Sequence, residues 1–164
     1  MFYLDLFRAL DQEQVRYLLI SGLALNIHGV ERATMDIDLM LAMDGNNLQA
    51  FLRAARQLQL KPAMPVQLED LADPAKLKRW TDEKHMLAFG LRPPEPSAPT
   101  LDILIRPKID FSQAWQRRIE KIVGNHHVQL AHIDDLIALK TGTGRQRDQS
   151  DIAALERLKQ LRET

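Results

Sequence analysis

The sequence predicts a mixed α/β domain of the α+β type, in which helices pack on a mixed β-sheet. Short apolar runs bounded by turn residues are interspersed, without strict alternation, among stretches of helical period. The chain has 164 residues, and its 45% hydrophobic and 27% charged residues are ordinary for a globular protein. We therefore expect one domain over residues 1–164, with C-terminal helices over about 133–162 packed on it.

Apolar spacing and capping residues predict the order of the elements. Helices are expected over residues 4–15, 23–28, 48–60, 75–83, 111–118, 133–141 and 149–161. Strands are expected over residues 17–20, 35–43, 85–91 and 101–105, and in a hairpin of residues 121–123 and 126–130. Residues 44–47 have turn chemistry. The proline-bearing segments 61–75 and 92–99 are expected to be loops, the first of them with room for one helical turn.

Charge and composition exclude several classes of protein. The 22 basic and 22 acidic residues cancel, which argues against passive coating of nucleic acid but leaves room for a small basic cleft. The chain has no cysteine, so it has no disulfide scaffold, no thiolate nucleophile and no cysteine-ligated metal. No apolar run approaches the ~20 residues of a membrane span. We expect a cytoplasmic protein that does not bind a membrane.

Acidic and aliphatic residues alternate in the second predicted strand, as Asp36, Ile37, Asp38 and Leu39. Residues two apart on a strand point to one face, about 6–7 Å from each other. Half-buried carboxylates at that spacing need a proton or a cation. Magnesium takes oxygen ligands and leaves positions for water or phosphate oxygens, so this pair predicts a magnesium site.

Asp102 is another acid inside an aliphatic strand, between Leu101 and Ile103. Acids on two adjacent strands would make a two-metal site for phosphoryl or nucleotidyl transfer, where the metals lower the pKa of the attacking hydroxyl. The simpler alternative is a set of exposed acids paired with Lys or Arg, since Asp-x-Asp alone is common. The aliphatic surroundings of Asp102 favour the metal site.

The residues around these acids resemble the nucleotidyltransferase superfamily typified by DNA polymerase beta. The resemblance rests on residues 19–25, 28–29, 32–34 and 36–39, on Trp80, Glu83, Lys84 and Met86, on residues 101–103, and on Lys140, Arg145, Arg147, Asp148, Asp151 and Ile152. Within the superfamily the chain is similar to the AbiEii-type bacterial branch and to related small nucleotidyltransferase-like proteins. The similarity spans nearly the whole chain.

The resemblance implies the nucleotidyltransferase fold, a small mixed sheet flanked by helices. It implies that Asp36 and Asp38 hold two Mg²⁺ ions, for which Mn²⁺ could substitute. Asp102 would complete one site and favour deprotonation of the acceptor hydroxyl. Ser21 and Gly22 would hold the triphosphate of an NTP at a helix N-terminus. The family turn usually reads Gly-Gly or Gly-Ser, so which of these two residues meets phosphate is left open.

Three residues near the expected cleft are further candidates for nucleotide binding. Arg32 and Thr34 come just before the acids, where Arg32 could pair with a β- or γ-phosphate. The alternative for Arg32 is a surface arginine beside Glu31. Lys84 fits the family pattern, and its alternative is a solvated charge beside Glu83.

A charged group near the C-terminus gives the remaining candidates. Lys140, Arg145, Arg147 and Asp148 could face the acids and bind nucleotide or an acceptor phosphate. The alternative for Lys140 is a cation favoured at a helix C-terminus, and for Asp148 and Asp151 it is helix capping. Some relatives carry lysine where this chain has Arg147.

Together these patterns predict a Mg²⁺-dependent nucleotidyltransferase that moves NMP from an NTP to a hydroxyl. The acceptor is left open among protein, RNA and a small molecule. The AbiEii resemblance adds a toxin–antitoxin role with an antitoxin as partner. The alternative from another class is a non-catalytic nucleotide-binding or protein-interaction module on the same fold. A plain structural domain with paired acids is the third reading.

Overall fold

The computed structural model describes residues 2–31 and 36–163. Its strands join in one sheet of order β3-β4-β5-β2-β1-β7-β6. The strands are β1 (Tyr17–Ile20), β2 (Ile37–Leu41), β3 (Lys61–Pro62), β4 (Ala88–Arg92), β5 (Leu101–Leu104), β6 (Ile119–Val123) and β7 (His126–Leu130). The α+β class with a mixed sheet is confirmed.

Both strand directions occur at the centre of the sheet. β2 is antiparallel to β1 and parallel to β5, and β7 joins the other side of β1 in parallel. The register sets Ile20 opposite Asp38 and Asp38 opposite Asp102. One row across the sheet therefore contains the two acids and the end of β1.

Helices cover the sheet and close the core. They are α1 (Phe2–Gln12), α2 (Ser21–His28), α3 (Gly45–Gln57), α4 (Pro74–Lys84), α5 (Phe111–Arg117), α6 (Ile133–Lys140) and α7 (Gln146–Glu163), with a 3-10 helix at Leu68–Ala72. α1 packs against α3 and β7, and α6 packs against α7. None of these described helices is long and apolar enough to cross a membrane.

Local sequence signals explain most of the element boundaries. Asp73 caps α4 by accepting hydrogen bonds from the N–H groups of Ala75 and Lys76, and Pro74 occupies the first turn. Gly29 ends α2 with φ at 116°, in the left-handed conformation that glycine adopts without cost. The predicted hairpin is confirmed, with Val123 opposite His126.

Many predicted boundaries shift by up to three residues, and two segments differ in the type of element. Residues 44–47, predicted as a turn, contain the start of α3, because the Asp44 carboxylate accepts a hydrogen bond from the Asn47 N–H and caps the helix. The predicted loop after α3 contains the short edge strand β3, which pairs with the end of β4. Both segments have the composition of a turn or loop. The Asp44 cap makes the first the start of a helix, and pairing with β4 makes the second a strand.

His28 ties the end of α2 to two distant parts of the chain. Its Nε2 lies 2.9 Å from the carbonyl oxygen of Ala131, and its Nδ1 lies 3.4 Å from the Arg162 guanidinium. Arg162 also donates to the His28 carbonyl at 2.8 Å. A neutral ring with its proton on Nε2 satisfies both contacts. Burial and the nearby Arg162 charge lower the pKa of His28 below its ordinary value of 6.5.

His28 is expected to make stability fall as the solution becomes acidic. The unfolded chain takes up a proton near pH 6.5 that the folded ring resists, so the contribution is present above that pH and lost below it. His28→Gln keeps a donor for Ala131 but does not titrate. Urea unfolding between pH 7.5 and 5.5 should show a smaller loss of stability in this variant than in the wild type. If the free energy of unfolding falls equally with pH in the variant and the wild type, the role assigned to His28 is wrong.

Candidate active site

Asp38 and Asp102 are direct neighbours on two adjacent parallel strands. The residues beside them, Ile37, Leu101 and Ile103, are fully buried, whereas both aspartates are half-buried. Strand alternation explains the difference, because successive side chains point to opposite faces of a sheet. The aliphatic residues enter the core, and the two carboxylates meet on the other face.

The two carboxylates share a hydrogen bond, which acts to raise the pKa of Asp102 and to lower that of Asp38. Burial raises the pKa of Asp102 to about 6, with a further contribution from the negative charge of Asp38. Burial also raises the pKa of Asp38, opposed by a hydrogen bond from Ser21 and by the positive charge of Lys140. In the metal-free protein below about pH 6, Asp102 therefore holds a proton and donates it to Asp38.

Asp36 lies one residue before β2, and its side chain is exposed. Its negative charge raises the pKa of both paired aspartates, so its field reaches the site. Within residues 2–31 and 36–163 no three acidic or histidine side chains are grouped closely enough to hold one metal ion. The structure thus joins Asp38 to Asp102 and leaves Asp36 at the edge of the pair.

The pair has the chemistry of a site for a hard divalent cation. Both side chains offer only oxygen ligands, and both carry pKa values raised by burial and by negative charge. Mg²⁺ prefers such carboxylate oxygens and completes its coordination with water or phosphate oxygens. A cation there would replace the shared proton, so the residues fit the metal that the sequence predicts.

Ser21 connects the end of β1 to the start of α2 beside Asp38. It has φ of 64°, a left-handed conformation that is strained for a residue with a side chain. Its side chain hydrogen-bonds to Asp38. Ile20, at the N-cap position, provides no side-chain cap for the first turn of α2, which begins with Ser21 and Gly22. The N–H groups of such a helix end can bind an anion.

Gly90 is a site residue that the sequence reasoning missed. It lies opposite Asp102 on β4, and a Cβ atom there would be 3.2 Å from Oδ1 of Asp102. Its lack of a side chain therefore leaves room for the carboxylate. A lone glycine inside a strand pattern often indicates such a close approach, and this signal could have identified it.

Lys140 is at the centre of a buried ion network between α6 and α7. Its Nζ lies 2.9 Å from Oδ2 of Asp151 and 3.3 Å from Oδ1 of Asp148. Asp148 also accepts hydrogen bonds from Thr143 and from Arg145. Burial acts to raise the pKa of Asp148, but these hydrogen bonds and positive charges lower it overall. The network binds the two helices together beside Asp38.

The other predicted nucleotide-binding residues lie in different places. Arg145 is exposed and pairs with Asp148, and Arg147 is exposed in the first turn of α7. Lys84 is the exposed last residue of α4. It lies four residues before Ala88, which begins β4 and pairs with Leu104. Arg32 and Thr34 lie outside the described residues.

Replacing Asp102 is expected to stabilise the metal-free protein at alkaline pH. The folded pKa of about 6 lies above the ordinary 3.8, so the contribution of Asp102 is present below pH 3.8 and lost as pH rises through 6. Asp102→Asn can still donate to Asp38. In EDTA at pH 8 the free energy of unfolding of this variant should exceed that of the wild type by about 1–2 kcal/mol, because solvent screens part of the repulsion. A variant less stable than wild type at pH 8, or a difference that does not shrink at pH 4.5, would contradict the carboxylate repulsion.

Removing the Lys140 charge is expected to destabilise the fold strongly. Lys140→Met leaves Asp148 and Asp151 buried with their main cation missing, which costs about 3–5 kcal/mol in comparable pairs. Lys84→Met is the matched control at an exposed position, and it should change stability by about 0.5 kcal/mol or less. Urea unfolding of both variants measures the difference. Equal effects would show that Lys140 is not held in a buried network.

Solved structures share this fold at low sequence identity. A lincosamide antibiotic adenylyltransferase, LnuA, bound to lincomycin has a TM-score of 0.59 and 16% identity, over 96% of this chain and 94% of that one. ANT(2")-Ia in complex with adenylyl-2"-tobramycin has a TM-score of 0.58 and 13% identity, over 99% and 93%.

An antigenic nucleotidyltransferase-like protein from Paracoccidioides brasiliensis has a TM-score of 0.54 and 17% identity, over 95% of this chain and 72% of that one. No curated protein matches the chain in sequence. A family model described as a nucleotidyltransferase of unknown function, DUF6036, matches residues 4–162. The chain belongs to this nucleotidyltransferase family.

Proposed function

We propose that the chain is a Mg²⁺-dependent nucleotidyltransferase that moves NMP from an NTP to an acceptor hydroxyl. The observation that carries the proposal is the Asp38–Asp102 pair, held in register on adjacent strands and half-buried beside the uncapped start of α2. Two carboxylates at such a position are unfavourable for folding unless a cation binds them. Membership of a nucleotidyltransferase family supports the same reaction.

Asp38 and Asp102, with Asp36 at the edge, would hold the two Mg²⁺ ions, for which Mn²⁺ could substitute. The metal would neutralise phosphate charge and lower the pKa of the acceptor hydroxyl. Asp102 would favour deprotonation of that hydroxyl by accepting its proton. The hydroxyl oxygen then bonds to the α-phosphorus as the bond to the bridging oxygen breaks and pyrophosphate leaves.

The start of α2 would bind the triphosphate. The N–H groups of its first turn and the positive end of the helix favour phosphate oxygens, and Ser21 and Gly22 lie at that end. Arg32 and Thr34 precede the acids in sequence and are proposed to bind the same group. Lys84 and Arg147 keep the nucleotide-binding role that the resemblance implies.

The other charged residues near the C-terminus have a different proposed role. Lys140 is buried and already bound to two carboxylates, and Arg145 is paired with Asp148. We therefore assign Lys140, Arg145 and Asp148 to positioning the α6–α7 pair against the site. The Lys140 charge still acts on Asp38 and would favour its ionised form.

The acceptor stays open among protein, RNA and small molecule. The names of LnuA and ANT(2")-Ia add antibiotics to the small-molecule class, although identities of 16% and 13% indicate a shared fold alone. The AbiEii-type branch, an antitoxin partner and a cytoplasmic location remain predictions from the sequence.

Transfer of label from α-³²P-labelled NTPs tests the proposal. The protein is incubated with each NTP and Mg²⁺, together with total RNA, total protein or a small-molecule extract. Label should appear in one acceptor pool with one NTP and require the divalent cation. Asp38→Asn should lower the rate by about 10²–10³-fold, as expected for loss of a group that acts on the transition state. Asp5→Asn, at an exposed acid on α1, is the matched control and should leave the rate unchanged.

Thermal unfolding with each NTP separates the two function classes. A ligand that binds only the folded chain raises the melting temperature by mass action. A Mg²⁺-dependent rise that Asp38→Asn abolishes, together with labelled acceptor, supports the transferase. The same rise with no labelled acceptor in any pool would support the non-catalytic nucleotide-binding module instead.

A further inference from the structure

Two cations face each other at the edge of the sheet next to the candidate active site. Lys61 on β3 and Arg92 on β4 are direct cross-strand partners, and both side chains are exposed. Like charges opposite each other on a sheet are destabilising. In the part of the chain that the structure describes, neither side chain has a carboxylate within ion-pair distance.

A cavity of about 760 Å³ opens at this pair of cations. Arg56 also lines the cavity, but its guanidinium is paired with Glu69 at 3.4 Å. Among the described residues, Lys61 and Arg92 are therefore the lining cations that have no carboxylate partner. Leu60, Leu68 and prolines at the ends of β3 and β4 supply its apolar walls. A concave site of this volume with a few converging polar groups is typical of small-ligand pockets. The charges in this one favour an anion.

The Lys61–Arg92 pair lies on the same face of the sheet as the paired acids. The Cβ position of Gly90 is 3.2 Å from Asp102 Oδ1 and 3.5 Å from Ala63 Cβ, so these residues share one face. Lys61 and Arg92 lie two residues from Ala63 and Gly90, and strand alternation returns them to that face. The spacings of a sheet put the Cα of Arg92 about 8 Å from that of Asp102.

We propose that Lys61 and Arg92 bind a phosphate group of the acceptor in the transfer reaction. This inference rests on the proposed function, and it selects phosphate-bearing acceptors from the classes left open above. Arg92 offers a planar fork that matches two phosphate oxygens, and Lys61 adds a point charge. Bound phosphate would also remove the repulsion between the two cations.

The strand order assigns this anion to the acceptor and not to the NTP. The sheet runs β3-β4-β5-β2-β1, so the Asp38–Asp102 pair lies between the Lys61–Arg92 pair and the start of α2. The attacking oxygen and the leaving oxygen lie on opposite sides of the reacting phosphorus. With the triphosphate at the start of α2, the β3–β4 side is the one from which the acceptor hydroxyl arrives.

The test measures binding of inorganic phosphate, AMP and adenosine by NMR titration in EDTA. Lys61→Gln/Arg92→Gln should raise the dissociation constants of phosphate and AMP at least tenfold. Lys121→Gln is the matched control, because it removes an exposed lysine from β6 at the opposite edge of the sheet, and it should change neither constant. Tighter binding of AMP than of phosphate would show that the acceptor's phosphate is part of a nucleotide. Equal dissociation constants for AMP and phosphate would show that any phosphate group suffices.

The charge-reversal variant Lys61→Glu distinguishes a loss of phosphate binding from a folding defect. It places opposite charges across β3 and β4, so we expect a higher melting temperature than wild type together with loss of phosphate binding. Unchanged phosphate binding in the double glutamine variant, or adenosine binding as tight as AMP binding, would overturn the proposal.

Thermal shifts with Mg²⁺ and NTP distinguish this inference from the proposed function. The double glutamine variant should keep the NTP-dependent shift of the wild type. If it loses that shift together with phosphate binding, the cations belong to the NTP site and the acceptor assignment is wrong. A wild type with no NTP-dependent shift would count against the proposed function, while the phosphate titration still decides whether the Lys61–Arg92 pair is an anion site.

Discussion

The repulsion between Asp38 and Asp102 is the constraint on which the site depends. Parallel pairing of β2 and β5 sets these carboxylates side by side, and the buried aliphatic residues beside them prevent either strand from slipping by one position. The core therefore fixes the geometry of a pair that is unfavourable by itself. Gly90 completes the arrangement from β4, because any side chain there would meet Asp102.

Local signals in the sequence were enough for most of the elements. The run Tyr17–Ile20, the Asp73 cap and the Gly124-Asn125 hairpin are determined by neighbouring residues, and the structure agrees with each. Outside this hairpin, the sequence could not indicate which strands pair. Gly90 opposite Asp102 and Lys61 opposite Arg92 depend on a register between segments whose own residues do not encode it.

The charges near the C-terminus show why composition predicts sites poorly. Lys140 resembles a phosphate-binding lysine in the sequence, yet two buried carboxylates hold its ammonium group. Lys61 lies in a segment that the sequence predicts as a loop, and no pattern indicated it as a binding residue. Among the described residues it has no carboxylate partner. Availability of a charge depends on what the fold places beside it. A buried ion network of this kind fixes one arrangement of two helices more than it adds stability.

The pairing of β1 with β7 has a consequence for how the chain is made. β1 is an entirely buried strand, and its Leu19 pairs with Leu130, more than 100 residues further along the chain. A ribosome releases most of the protein before that partner exists. Until then the apolar edge of β1 is an open template for pairing with another chain. The growing protein is therefore most prone to aggregate in the interval before the β6–β7 hairpin is synthesised.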